Sequence, residues 1–184
     1  VGRNGVGKTR LLRLLEGKDV PSDGHIESLT SWAYVAQQHT VSPEMTLSTL
    51  LGYDTHFAAL QRMASGNGLA EDVETLDGYW DLPERLNTTF LAAGLGGFDP
   101  NRPAISLSGG ERVKALLCAA FTSGADYLLL DEPTNHLDRS GREWLYYQRD
   151  EWRGGALIAS HDRELLARMP RILELTASAL RCYG

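Results

Sequence analysis

The chain has 184 residues, and its 18 Lys and Arg residues against 24 Asp and Glu residues give a formal net charge of −6. This balance argues against a protein that is held on nucleic acid by bulk basicity, although it permits a local basic face. Because 42% of the residues are hydrophobic and 23% are charged, the chain can bury a core and has the size of one ordinary domain.

No stretch of the sequence is suited to crossing a membrane. The longest strongly apolar runs cover residues 115–121 and 127–130, whereas a bilayer-spanning helix needs roughly 20 residues. No signal or transit segment is recognisable. Cys118 and Cys182 are too few and too far apart for a disulfide framework or a zinc site. The sequence therefore predicts a cytoplasmic protein with no membrane span and no zinc.

The chain opens on a glycine-rich run that fits the phosphate-loop pattern G-x-x-x-x-G-K-[ST]: Gly2, Arg3, Asn4, Gly5, Val6, Gly7, Lys8 and Thr9. Glycines let several backbone N–H groups converge on one anion, and a helix that starts near Lys8 adds its positive end. Lys8 is expected to reach the β- and γ-phosphates, and the Thr9 hydroxyl to bind Mg²⁺. Such a loop normally follows a strand, so we expect the chain to be truncated on its N-terminal side.

The first half of the chain then predicts a helix over residues 8–16, a turn over 21–24 and a strand over 31–38. Residues 40–81 give the weakest pattern, with helical pieces such as 55–63. A clearer helix follows over 82–93 with Asp81 as its N-cap, and a loop rich in Gly and Pro spans 94–103.

The second half alternates helices with short apolar strands. Ser108 and Glu111 have capping-box spacing before a helix, and Ser140 and Glu143 repeat that spacing before a helix that runs to about residue 152. A further helix is predicted over 163–169, and strands are predicted over 126–131, 156–160 and 171–175. This alternation predicts an α/β fold with a largely parallel sheet.

Two carboxylates stand at the end of the strand over 126–131. In a parallel sheet, the carboxyl ends of the strands form the edge at which ligands bind. Asp131 is expected to hold Mg²⁺ through its water shell, as the acid that accompanies a phosphate loop does. Glu132 is the natural group to orient and polarise an attacking water.

A third motif resembles the signature of ATP-binding-cassette (ABC) ATPases: Leu107, Ser108, Gly109, Gly110 and Glu111. With the phosphate loop, the Asp-Glu strand and the run Ser160-His161-Asp162, four family motifs stand in the family order. The resemblance implies a P-loop NTPase fold of the ABC type within one domain, 1–184. Its ATPase core would comprise 1–39 and 125–184, and its helical subdomain, including the signature helix, 40–124.

The resemblance also implies roles for further residues. Gln37 resembles the glutamine that contacts Mg²⁺ and water and links the core to the helical lobe, with Gln38 as a weaker candidate. His161 resembles the switch histidine near the γ-phosphate. The loop that communicates across a dimer, the D-loop, corresponds to Asn135, His136, Leu137 and Asp138. The family's adenine-stacking aromatic lies ahead of the phosphate loop, so no residue is assigned to that role.

The signature suits a second phosphate receptor, because Ser108 precedes a helix whose first turn has two glycines and free N–H groups. One phosphate loop is already present in the chain. In the family, two cassettes face each other head to tail, and the signature of one closes over the ATP held by the other. We therefore expect a second cassette as partner, either on the same full-length chain or in a homodimer.

The run over residues 131–138, which ends Asn-His-Leu-Asp, resembles the ABC-F subfamily. Its members carry two cassettes and no membrane span, and many act on the ribosome in translation or antibiotic resistance. The tail over 171–184 resembles the end of a first cassette before the interdomain linker. The resemblance thus implies hydrolysis of ATP with Mg²⁺ to ADP and phosphate, with the ribosome as partner.

Two other functions stay open at this point. One is the ATP-hydrolysing subunit of a membrane transporter, which has the same chemistry and a different partner. The other is an interaction module that holds ATP and turns over little, against which Glu132 and His161 argue.

Overall fold

The computed structural model of the chain describes residues 1–3, 5–27, 30–37, 40–176 and 179–184. The chain folds into two compact units, Val1–His39 with Ser123–Gly184, and Thr40–Thr122. The elements in chain order are α1 (Lys8–Glu16), β1 (Trp32–Val35), α2 (Leu47–Leu50), α3 (Asp54–Ala64), α4 (Ala70–Thr75), α5 (Leu82–Ala92), a 3-10 turn (Ala104–Ser106), α6 (Gly109–Thr122), β2 (Tyr127–Asp131), α7 (Arg139–Glu151), β3 (Gly155–Ala159), α8 (Arg163–Ala167), β4 (Ile172–Leu175) and β5 (Leu180–Tyr183).

The first unit is built on a parallel sheet in the order β1-β2-β3. Tyr34 of β1 lies opposite Leu129 of β2, which in turn lies opposite Leu157 of β3. The predicted α/β fold with a mainly parallel sheet is confirmed. Because all three strands run the same way, their carboxyl ends meet at one edge, and β2 delivers Asp131 to that edge.

The central strand β2 is buried along almost its whole length. Leu128, Leu129 and Leu130 have no exposed surface. Leu129 packs in one apolar cluster with Leu12 of α1 and Ala159 of β3. Burial on both faces explains why this strand reads as a continuous apolar run rather than an alternating one. This packing also fixes where the residues that follow β2 lie at the carboxyl edge of the sheet.

A second, two-stranded sheet pairs β4 and β5 antiparallel. The chain start lies beside it: the amino group of Val1 donates to the Leu173 carbonyl at 2.6 Å, and the Leu175 amide donates to the Val1 carbonyl at 2.9 Å. The sequence predicted β4 but not β5. All four residues of β5 are exposed, so β5 lacks the buried, alternating pattern on which strand prediction depends.

The second unit is helical. Leu86 and Phe90 of α5 are fully buried, and this helix packs against α6. The poorly patterned region over 40–81 forms α2, α3 and α4. Between α3 and α4, the buried carboxylate of Asp72 accepts hydrogen bonds from Arg62 and from the Leu69 amide, and these bonds lower its pKa.

Within the described residues, no helix combines the length and apolarity needed to cross a bilayer.

Of the two capping boxes that the sequence predicted, the structure contains one. The capping box at the start of α6 is confirmed, since the Ser108 amide donates to Glu111 Oε2 at 2.9 Å and the Glu111 amide donates to Ser108 Oγ at 3.3 Å. The box predicted for Ser140 and Glu143 is wrong. The N-cap of α7 is Asp138, whose carboxylate accepts from the Gly141 amide at 2.8 Å.

The reason for that error is that two side chains compete for one helix start. Asp138 has an extended backbone and lies just ahead of the first helical residue, where a carboxylate satisfies a free N–H group. Ser140 already lies in the first turn, and its hydroxyl donates to Asp138 at 3.1 Å. Glu143 pairs with Arg139 instead. Similarly, Asp81 stands at the N-cap of α5, but its carboxylate pairs with Arg85.

Replacing Asp138 tests this cap. We expect Asp138→Ala to lower the free energy of unfolding by about 1 kcal/mol, because the first turn of α7 loses its acceptor. Ser140→Ala serves as the matched control and is expected to cost less than about 0.5 kcal/mol. Urea denaturation followed by circular dichroism measures both, and a larger loss for Ser140→Ala would contradict the observed cap.

Candidate functional site

A cavity of about 1010 Å³ lies at the carboxyl edge of the parallel sheet in the first unit. Parallel sheets bind ligands at this edge, because the loops that leave the strands diverge there. The cavity brings together the phosphate loop, the carboxylates after β2 and the histidine after β3. Its walls comprise Gly5, Gly7, Lys8, Thr9, Arg10, Arg13, Asp19, Gln37, Asp131, Glu132, Thr134, Asn135, Arg142, His161 and Asp162.

The chain turns into α1 at Gly7, whose φ of 108° is open to glycine and closed to most other residues. The Gly7 carbonyl accepts from the Leu11 amide at 2.9 Å, which starts the helix. The amino end of α1, with its unsatisfied N–H groups, therefore lies at the cavity wall beside Lys8. Of the predicted loop residues, Asn4 lies outside the described residues.

Gly2 has a separate steric role. Its φ is 152°, and a Cβ added there would lie 2.5 Å from the Leu175 carbonyl oxygen and 2.9 Å from the Val6 side chain. Only glycine lets the loop approach β4 this closely. The Gly2 carbonyl in turn accepts a hydrogen bond from Lys8 Nζ at 2.9 Å, so the close approach also positions the ammonium group.

Thr9 and Asp131 meet beneath the loop. The Thr9 hydroxyl donates to Asp131 Oδ2 at 2.6 Å. The Asp131 side chain is 1% exposed, and its Oδ1 has no hydrogen-bond partner among the described atoms. A buried carboxylate oxygen without a partner is costly and favours a cation beside it. Burial, followed by the charge of Asp131, raises the pKa of the nearby Tyr34 to about 12.

Lys8, Glu132 and His161 form a triangle in the cavity. Lys8 Nζ lies 3.0 Å from His161 Nε2 and 3.8 Å from Glu132 Oε1, and His161 Nε2 lies 3.3 Å from the same Glu132 oxygen. An ammonium group can only donate, so the first contact needs Nε2 without a proton. The contact with the carboxylate needs a proton on Nε2. The imidazole can therefore satisfy only one of these partners at a time.

The backbone directs Glu132 into the cavity. Its φ of 50° is left-handed, which is unusual for a residue other than glycine. Its amide donates to the Ala159 carbonyl at 2.8 Å, and its carbonyl accepts from the Asn135 amide at 3.0 Å. Such a conformation costs of order 1–3 kcal/mol and persists where the surroundings enforce it. Strain at a residue that lines a cavity points to function.

The predicted D-loop residues have different surroundings. Asn135 lines the cavity. His136 is exposed with a left-handed φ of 66°. Leu137 is buried, and Asp138 caps α7. The segment thus forms a tight turn between the strand that carries the carboxylates and the start of α7.

Gln37 follows β1, is exposed and lines the same cavity. Its neighbour Gln38 lies outside the described residues. Six residues of the wall were not among the predicted site residues: Arg10, Arg13, Asp19, Thr134, Arg142 and Asp162. The sequence analysis named Asp162 only as the end of the run that contains His161. Thr134 could have been found, since it stands within the Asp-Glu-Pro-Thr run. Arg142 could not, because it is brought to the cavity only by the placement of α7.

The signature residues belong to the second unit. Leu107 is buried, whereas Ser108 and Gly109 are exposed at the start of α6. Glu111 accepts from Ser108, and these hydrogen bonds lower the pKa of its carboxyl. The helix start thus presents exposed backbone and a hydroxyl group. The cavity and the signature are carried by different units of the chain.

The chain is similar to known proteins over most of its length. The family model described as ABC transporter matches residues 1–135. The ATP-binding protein Uup of Caulobacter vibrioides is 38% identical over 172 residues, which cover 92% of this chain and 24% of Uup. The tylosin resistance ATP-binding protein TlrC of Streptomyces fradiae is 30% identical over 209 residues, which cover 100% of this chain and 38% of TlrC.

A solved structure shares the fold. It is the dimer of an ATP-binding cassette in a post-hydrolysis state, bound to ADP and Pi. It has 20% sequence identity and a TM-score of 0.69, and the match covers 100% of this chain and 82% of that chain. The chain itself spans 24% and 38% of the two curated relatives described above.

Replacing Gly2 tests the close approach of the loop to β4. We expect Gly2→Ala to lower the free energy of unfolding by about 2 kcal/mol or more, because the new methyl group meets the Leu175 carbonyl. Gly24→Ala is the matched control: Gly24 also has a positive φ, of 77°, but its Cβ would enter open space. Its cost is expected near 1 kcal/mol. Equal losses in urea denaturation would contradict the steric role.

Proposed function

The chain belongs to the ATP-binding-cassette family described as ABC transporter, and from that premise we propose that it binds ATP with Mg²⁺ and hydrolyses it to ADP and phosphate in a site shared with a second cassette. Its relatives Uup and TlrC are ABC-F proteins, in agreement with the predicted resemblance. The observation that carries the proposal is the triangle of Lys8, Glu132 and His161 at the cavity wall, beside the hydrogen-bonded pair of Thr9 and Asp131.

The phosphate chain of ATP fits the loop for electrostatic reasons. Backbone N–H groups at the start of α1 provide hydrogen-bond donors, and the helix end favours negative charge. Lys8 is already at the cavity wall, with its ammonium group bonded to Gly2 and to His161. A γ-phosphate oxygen would take over as acceptor for Lys8. That exchange would leave His161 Nε2 available to the phosphate and to Glu132.

The residues present also fit Mg²⁺. This hard cation prefers oxygen ligands, and Thr9, Asp131 and Gln37 bring hydroxyl, carboxylate and amide oxygens to the cavity. The unpartnered Oδ1 of Asp131 is the specific feature that a cation would satisfy. When bound, Mg²⁺ would neutralise charge on the β- and γ-phosphate oxygens.

Hydrolysis needs a water in line with the γ-phosphorus. Glu132 is the group for this role, because its left-handed backbone aims a carboxylate into the cavity next to Lys8. It would orient the water and accept a proton as the bond to phosphorus forms. Lys8 and the loop amides would stabilise the charge on the phosphoryl oxygens, and His161 would hold the γ-phosphate end. ADP then leaves with the bridging oxygen.

The partner in this proposal is a second cassette, on the same full-length chain or as a second copy. The support is the exposed start of α6, where Ser108 and Gly109 present a receptor suited to phosphate. The signature over Leu107–Glu111 would act on the nucleotide of the partner, and the loop over Asn135–Asp138 would contact it. Nucleotide binding would close the pair, and hydrolysis would reopen it.

For the target we propose the ribosome, with a role in translation or antibiotic resistance. The support is the ABC-F run over residues 131–138 and the relative named for tylosin resistance. These same features favour an ABC-F protein over a transporter subunit. A cytoplasmic location follows from such a target.

The first test replaces Glu132. Glu132→Gln keeps the shape and hydrogen bonding of the side chain but removes the base, so ATP binding should persist while turnover falls roughly 10²-fold or more. Glu151→Gln, an exposed glutamate at the end of α7, is the control and should hydrolyse ATP at the unmodified rate. Steady-state phosphate release and nucleotide titration measure the two effects. Unchanged phosphate release in Glu132→Gln would contradict the role of this residue. Negligible release by the unmodified protein, with ATP still bound, would favour a module that only holds ATP.

The second test concerns the shared site. If two chains complete each site, turnover per chain should rise with protein concentration as pairs form. Lys8→Ala, which lacks the loop cation, and Ser108→Arg, which blocks the signature, should each be inactive alone. Mixed together, they should recover up to about a quarter of the activity, because each mixed pair retains one intact site. Rapid turnover by the 184-residue chain alone that does not depend on its concentration would contradict the shared site.

A further inference from the structure

The residue after His161 is held by hydrogen bonds. Asp162 Oδ1 accepts from the amides of Glu164 and Leu165, both at 3.0 Å, and so caps α8. The Asp162 amide donates to the Ser160 hydroxyl at 3.0 Å. The backbone on the far side of His161 is therefore fixed by the start of a helix, while the imidazole of His161 extends toward Lys8 and Glu132.

The other oxygen of Asp162 is bonded across to α7. Tyr146 donates its hydroxyl to Asp162 Oδ2 at 2.9 Å. Arg142, one turn earlier on α7, places Nη1 3.8 Å from the same oxygen. The Arg168 guanidinium lies over the Tyr146 ring at 5.0 Å. Burial, followed by the hydrogen bond to Asp162, raises the pKa of Tyr146 to about 12, so the hydroxyl stays protonated at neutral pH and remains a donor.

From this geometry we propose that Tyr146 is a positioning residue for His161. The Tyr146 hydroxyl ties α7 to Asp162 and thereby holds the adjacent His161 where its imidazole reaches Lys8 and Glu132. The inference rests on the proposed function, in which His161 acts at the γ-phosphate. Because α7 begins just after Asp138, the same bond connects the loop proposed to contact the partner cassette with the histidine.

Neither helix depends on this hydrogen bond for its formation. α8 is capped through Oδ1 of Asp162, whereas Tyr146 bonds Oδ2. α7 has its own cap at Asp138 and buries Trp144 and Leu145. A hydroxyl–carboxylate bond between two helices that are each stabilised separately fixes their relative placement. The element whose placement matters most for the cavity is the segment of His161.

The test removes the hydroxyl alone. Tyr146→Phe is compared with Tyr147→Phe, a substitution at the neighbouring tyrosine of α7, which is 61% exposed. In the intact protein, Tyr146→Phe should lower kcat about tenfold and change KM for MgATP by less than about twofold, because the chemical step loses positioning while the phosphate loop is untouched. Tyr147→Phe should behave as the unmodified protein. A rise in KM with unchanged kcat would overturn the inference.

A second readout does not require turnover. The ring signals of His161, assigned with His161→Gln, are recorded by NMR without nucleotide. Tyr146→Phe should shift them, and Tyr147→Phe should not. An unmoved His161 signal in Tyr146→Phe would overturn the inference, whatever the loss of kcat. If the unmodified protein hydrolyses no ATP, the proposed function fails, while the ring shift still decides the positioning role.

Discussion

The site depends on where one ammonium group is held. Lys8 Nζ bonds the Gly2 carbonyl and contacts His161, with the Glu132 carboxylate 3.8 Å away. A charge in a cavity needs partners, because an unpaired cation loses solvation without compensation. These partners come from the loop start, the end of β2 and the end of β3. Holding Lys8 in this way therefore ties three separate segments of the chain to one point.

The buried sheet supplies the rigidity that this arrangement needs. β2 is enclosed on both faces, so its register against β1 and β3 is fixed by packing. The strand ends at Asp131, which is buried and bonded to Thr9, and the chain then turns through the left-handed Glu132. A strained residue can be maintained there because the surrounding core cannot relax without losing favourable packing.

The two units of the chain each present a helix start. The amino end of α1 lies at the cavity, and the amino end of α6 is exposed with Ser108. Free N–H groups and the helix dipole make both ends attractive to phosphate. In a site shared between two cassettes, one cassette would supply the start of α1 and the other the start of α6. In the function proposed above, nucleotide binding would close such a pair.

The sequence by itself determined the phosphate loop, the parallel α/β sheet and the capping box at Ser108, because each depends on neighbouring residues or on a short periodic pattern. Only the tertiary structure decided that Asp138 caps α7, that β5 pairs with β4, and that Tyr146 of α7 bonds Asp162 at the start of α8. Such interactions join residues whose spacing carries no local signal. Their partners are chosen by how the helices pack on the sheet, and packing is a property of the whole unit.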